Sequence, residues 1–126
     1  MSNERLLLVD DDPHVAWTLG RYLLRQGFAV TTCNDGAEAV PLLETHDFDA
    51  LITDVQMPRL NGLALIEWCR ENRPGLRVIV MTAYGSQAVR DLAHRRGALL
   101  YLEKPLDPQL LVDVLKAPAE EEGIVG

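Results

Sequence analysis

Short apolar runs recur five times along the chain: Leu6-Leu7-Leu8-Val9, Ala29-Val30-Thr31-Thr32-Cys33, Ala50-Leu51-Ile52-Thr53, Val78-Ile79-Val80-Met81 and Leu99-Leu100-Tyr101-Leu102. Each has the length of a β-strand. Three are apolar on both faces, the pattern of central parallel strands covered by helices on either side. The second alternates more and carries threonines, which suits an edge strand.

Between these runs the apolar period lengthens to that of a helix. Val15, Leu19, Tyr22 and Leu23 share one face, and Gly27 is a natural stop. Leu63, Ile66, Trp68 and Cys69 mark a second helix, ended by Pro74-Gly75. Ala88, Val89, Leu92 and Ala93 mark a third, ended by Gly97. Leu110, Leu111, Val114 and Leu115 mark the last, opened by Asp107 as N-cap and Pro108 as first residue. The segment from Ala37 to His46 is also expected to be helical. Pro41 lies inside it, removing a donor and crowding the preceding turn. That helix is therefore expected to start late or to kink, with a disturbed first turn. Trp17 and Trp68 read as packing residues. His14, His46 and His94 share no partner in the pattern and read as surface or half-buried residues.

Five β-α repeats predict an α/β domain, a doubly wound five-stranded parallel sheet with right-handed crossovers and helices on both faces. Its 126 residues suit one domain, since two would each be too small to bury a good core. The domain is expected over residues 1–117, with 118–126 as a flexible acidic tail or the start of a linker. A formal net charge of -7 argues against direct binding of nucleic acid, which needs a basic face. It suits a protein that gathers cations. Cys33 and Cys69 stand in no CxxC or His cluster, so they read as small buried hydrophobes rather than zinc ligands. No apolar run is long enough to span a bilayer, and the N-terminus lacks a signal-peptide layout, so a cytoplasmic location is expected.

The chemistry lies where the strands end. In doubly wound sheets, ligands bind beyond the carboxyl ends of the strands. The first run is followed by Asp10-Asp11-Asp12, the third by Asp54, the fourth by Thr82 and the fifth by Lys104-Pro105. Clustered carboxylates stay ionised near neutral pH only if a cation neutralises them. Hard oxygen donors without histidine or thiolate point to magnesium or manganese. A carboxylate nucleophile, a metal, a lysine and a hydroxyl form a sufficient set for phosphoryl transfer. Asp54 is the candidate nucleophile, Asp10 and Asp11 the metal holders, Lys104 the charge that meets the phosphoryl group, and Thr82 a donor to it.

The pattern Leu8-Val9-Asp10-Asp11, Asp54-Val55-Gln56-Met57-Pro58 with Gly62, Met81-Thr82-Ala83 and Tyr101-Leu102-Glu103-Lys104-Pro105 resembles the receiver domain of bacterial response regulators. The resemblance runs from about Arg5 to Ala117, and within the family it is similar to the receivers of nitrogen-regulation-type transcriptional activators. It implies a flavodoxin-like strand order 2-1-3-4-5. It implies phosphorylation of Asp54 by a sensor histidine kinase or a phosphotransfer protein, with slow self-phosphorylation and self-dephosphorylation. Mg2+ would be held by Asp11, Asp54 and the backbone carbonyl of Gln56, with Asp10 supporting the ion through water. Thr82 and Tyr101 resemble paired switch residues that remodel the face of the fourth helix, fifth strand and fifth helix. Lys104-Pro105 resembles the family's cis peptide. Ala83 is small enough to leave the phosphate approachable, and Gln56 and Tyr84 flank it.

Other readings stand beside these. Asp12 either joins the acidic rim or caps the first helix. Arg90, Arg95 and Arg96 form either a solvated face or part of a partner surface. Dimerisation through the switch face is left open, as is the output that follows this domain. A small phosphatase with an aspartate nucleophile would want a second acid two residues further on, where this chain has Gln56. An interaction module that never meets phosphate would not need the full set of acids, Thr82 and Lys104.

Overall fold

The computed structural model describes residues 4–55, 62–83 and 85–117. Strands β1 (Arg5–Val9), β2 (Ala29–Cys33), β3 (Ala50–Asp54), β4 (Arg77–Thr82) and β5 (Leu100–Glu103) alternate with helices α1 (Pro13–Arg25), α2 (Gly36–Thr45), α3 (Gly62–Asn72), α4 (Gln87–Arg95) and α5 (Pro108–Lys116). The strands are parallel, in the order β2-β1-β3-β4-β5. Chain direction along the sheet reverses between β1 and β3, which opens a crevice beyond their carboxyl ends. The alternating strand with threonines, β2, is indeed at an edge.

Successive side chains of a strand point to opposite faces, so each central strand feeds two cores. Leu7, Val9, Leu51, Val78 and Val80 pack with Leu43, Leu65, Ile66, Cys69 and Ala93, beneath α2, α3 and α4. Leu6, Leu8, Ile52, Ile79 and Met81 pack with Leu19, Leu23, Leu111 and Leu115, beneath α1 and α5. Burying a side chain of this size contributes about 2 kcal/mol, so the double core is the principal source of stability. Cys33 and Cys69 lie within it as free thiols, and burial pushes both up to about 12. Neither is available as a thiolate near neutral pH.

Local chemistry sets the helix ends. The Asp12 carboxylate accepts from the amides of His14 (2.9 Å) and Val15 (3.4 Å), so it caps α1. Asp107 caps α5 through Gln109 N–H at 2.9 Å. Gly27 and Gly97, just beyond α1 and α4, have φ of 99° and 113°, the left-handed turn that ends a helix.

Two expectations need correction. Helix α2 neither starts late nor loses its first turn. Asp35 accepts from Glu38 N–H (2.9 Å), while the Glu38 carboxylate accepts from Asn34 N–H (2.9 Å). These two bonds, close to a capping box, fix the first turn. Pro41 and Ala37 are both exposed, so water can serve the carbonyl that proline leaves without its helical donor. Trp17 is not a packing residue, being 63% exposed on α1. Trp68 does pack against the core, partly buried. The three histidines are exposed.

Candidate phosphoacceptor site

Asp10 directly follows β1, and its N–H donates to Cys33 C=O at 3.2 Å, which ties it to the end of β2. Asp54 is the last residue of β3, one position beyond the Val9–Thr53 pair. Thr82 closes β4 and pairs with Glu103 of β5. Lys104 N–H then donates to Thr82 C=O at 2.8 Å, extending the ladder by one bond and holding the lysine at the rim. Backbone pairing thus fixes four residues that are far apart in sequence.

Asp10, Asp54 and Thr82 are buried, and Asp11 is exposed. Carboxylate oxygens of Asp10, Asp11 and Asp54 all lie within 4.8 Å of one another. The Lys104 ammonium donates to Asp10 Oδ2 and to Asp54 Oδ2, each at 2.6 Å, with its side chain 14% exposed. Burial drives the Asp10 pKa upward, and this outweighs the Lys104 hydrogen bond and the Asp12 N–H that donates to its other oxygen at 2.9 Å. Burial works against the Lys104 ammonium, yet the hydrogen bonds and charges of Asp10 and Asp54 together outweigh it, so its pKa is raised.

Charge counting shows what this cluster lacks. Three carboxylates against one ammonium leave two formal negative charges in a partly desolvated pocket. A hard divalent cation fits both the deficit and the all-oxygen donors. Close packing behind Asp54 keeps its strand end in place. Gly62 N–H donates to Val55 C=O at 3.3 Å, and a Cβ on Gly62 would stand 2.7 Å from Val55 Cα and overlap the Asp54 carbonyl. Only glycine lets α3 start so near the acidic residue.

The expected site residues Asp10, Asp11, Asp54 and Lys104 therefore share one rim, with Thr82 on the neighbouring strand end. Tyr101 lies on β5 with its ring buried. Gln56, whose carbonyl the resemblance assigns to the metal, lies outside the described residues, as does Tyr84. The Lys104–Pro105 peptide is cis. The reading of the residues alone did not anticipate a groove of about 630 Å³ between α1 and the β5–α5 turn, lined by Trp17, Tyr22, Lys104, Pro105 and Leu106 among others. The signal for it was available only as an aromatic residue on the polar side of α1. Among the described residues, no helix is long and apolar enough to cross a membrane.

Comparison with known proteins agrees with this geometry. A family model for the response regulator receiver domain matches residues 6–116. The chain is 39% identical over 100 residues to the DNA-binding transcriptional regulator NtrC of Escherichia coli K12, covering 79% of this chain and 21% of that protein. It is 35% identical over 123 residues to the transcriptional regulatory protein GlrR of the same organism, covering 93% and 28%. The chain thus spans only between a fifth and a third of these curated relatives. Among solved structures, a CheY-like receiver domain protein from Methanospirillum hungatei JF-1 superposes with a TM-score of 0.90 at 28% identity, covering 99% of this chain and 100% of that one. A response regulator from Burkholderia pseudomallei, solved with a phosphorylated aspartic acid, calcium ion and citrate, superposes at 0.85 with 32% identity, covering 94% and 70%. With the sheet order, the acidic rim and the family match in agreement over nearly the whole chain, it belongs to the response regulator receiver domains of two-component signalling systems.

Proposed function

We propose that Asp54 accepts a phosphoryl group from a phosphohistidine on a sensor histidine kinase or phosphotransfer protein, and that the modified domain signals through the face formed by α4, β5 and α5. The observation that carries this reading is the bridge from Lys104 to Asp10 and Asp54 beside Asp11, at the crevice where the sheet order reverses.

In the transfer, an Asp54 carboxylate oxygen attacks phosphorus in line, the P–N bond breaks, and the imidazole of the donor leaves with the bond's electron pair and takes up a proton. Lys104, already touching Asp54, meets the negative charge of the phosphoryl oxygens without a long search. Asp10, Asp11, Asp54 and the Gln56 carbonyl would hold Mg2+, with Asp10 acting through water. When bound, the ion would neutralise the carboxylates and draw charge from the phosphoryl oxygens. Thr82 then turns toward the new anion and Tyr101 lies behind it, favouring one of two packings. The same burial that protects the rim keeps spontaneous gain and loss of phosphate slow. The acidic chain makes no direct contact with nucleic acid, and its output lies in a further domain or a partner.

Incubation with acetyl phosphate, with and without magnesium, followed by intact mass measurement, tests the reading. One phosphoryl group per chain is expected with magnesium and none without it. A folded protein that takes up none in either condition refutes it.

A protein donor must approach Asp54 from the open rim, and the groove with exposed Trp17 adjoins Lys104 there. Exposed aromatic residues beside a cleft are characteristic contact anchors. Trp17→Ala is expected to slow phosphotransfer from the cognate protein donor about tenfold. Its rate with acetyl phosphate should equal that of the parent, because that small donor needs no docking surface. Stopped-flow or gel-based transfer assays on both donors check this.

A further inference from the structure

Tyr101 lies with its ring turned into the molecule, 6% exposed, among the core residues beneath α2, α3 and α4. Its hydroxyl is buried and has no hydrogen-bond partner among the described residues. An unmade bond of this kind disfavours the position. Two neighbours act in the opposite direction. Arg90 of α4, exposed on its outer side, holds its guanidinium 5.2 Å from the ring centroid. At the hydroxyl end of the ring sits Gly85. A Cβ there would overlap the Tyr101 hydroxyl, stand 3.0 Å from Tyr101 Cζ and lie 3.3 Å from Thr82 Cγ2. The backbone of Gly85 is not in the left-handed region, so its conformation does not demand glycine. The space does.

We propose that Gly85 is the gate that admits Tyr101 to its inward position and that Arg90 is the lid that holds it there, so that this pair sets how much of the signalling-competent packing is populated. The proposal rests on the reading of Thr82 and Tyr101 as switch residues. Gly85 touches the space of both, and any side chain at that position presses on Thr82 and Tyr101 at once. Arg90 supplies a cation over the ring face in its inward position, an attraction that favours that position. Both are positioning residues, since neither meets the phosphoryl group.

The test follows the ring itself. Tyrosine rings are labelled with carbon-13 in the full chain, and protection of the Tyr101 signal from a soluble paramagnetic agent is read by NMR. Tyr101 should be protected in the parent and exposed in Gly85→Ala. Arg90→Gln changes an exposed side chain and so tests the lid even if Gly85→Ala folds poorly. It should raise the exposed population about two- to fivefold. A Tyr101 ring as protected in both single variants as in the parent overturns the proposal. Phosphorylation by acetyl phosphate provides the link to signalling, with the Gly85→Ala rate expected to fall about fivefold or more. An unchanged rate with Tyr101 turned out would show that the gate does not set the competent packing. A parent that takes up no phosphate would refute the phosphoacceptor reading, while the ring measurements would still decide the gate.

Discussion

Asp54→Ala is expected to take up no phosphoryl group from acetyl phosphate or from a protein donor, in magnesium, while remaining fully folded. The loss should be complete because alanine offers no oxygen to attack phosphorus, and the other carboxylates stand at different strand ends. Folding should survive for an electrostatic reason. Asp54 is 5% exposed in a cluster that already holds more negative charge than Lys104 can balance. Its removal leaves the lysine paired to Asp10 at 2.6 Å. Relieving like-charge crowding should offset the packing lost with the carboxylate, so metal-free stability should change by no more than about 1 kcal/mol. Intact mass and a thermal melt check both halves. A variant that still acquires one phosphoryl group per chain would place the nucleophile elsewhere.

Lys104→Met should cause the largest loss of stability of any single change at the rim. The methionine fills much of the same space, but no cation remains between Asp10 and Asp54. Leaving such charges uncompensated costs about 3 kcal/mol, or roughly 10 °C in melting temperature for a domain of this size, measured in a chelator. Magnesium should restore a large part of it, more than it adds to the parent. Asp10→Asn should act with the opposite sign in chelator. Burial raises the Asp10 pKa above the ordinary 3.8, so the folded state holds that proton more tightly than the unfolded chain. Stability then falls as pH rises from the ordinary value through the folded one, and the full cost is present above it. Asparagine removes that cost and keeps an oxygen for Lys104 to donate to. The gain over the parent should therefore shrink as the solution is made acid. Melts of both variants across pH, with and without magnesium, decide the matter, and equal destabilisation by the two changes would contradict this electrostatic account.

Much of this arrangement is legible in the sequence because its causes are local or periodic. The apolar runs and the stops at Gly27, Gly97 and Pro74-Gly75 locate the elements, since hydrophobic period and backbone freedom act over a few residues. That Asp10, Asp54, Thr82 and Lys104 meet at one rim follows from parallel strands, which all end on the same side. Pro41 taken alone predicts a disturbed first turn for its helix. The start of α2 is decided by Asp35 and Glu38, a visible capping pair three residues apart. Size alone predicts packing for Trp17, although its neighbours Ala16 and Leu19 fill the buried face and leave it outside. The double hydrogen bond of Lys104 and the space at Gly85 depend on where side chains from distant strands converge, and no local pattern encodes that.

Strand β5 has a neighbour on one side only, β4, yet it carries Tyr101 and leads directly into Lys104. Tyr101 and Lys104 thus hang from a margin of the sheet. A transient fraying of that margin would disconnect both at once, while the acids on β1 and β3 stayed in place within the interior. On the proposed phosphoacceptor reading, the competence of the domain is tied to the tightness of one border strand, so a partner that clamps or loosens that border would tune the response without approaching the acidic residues.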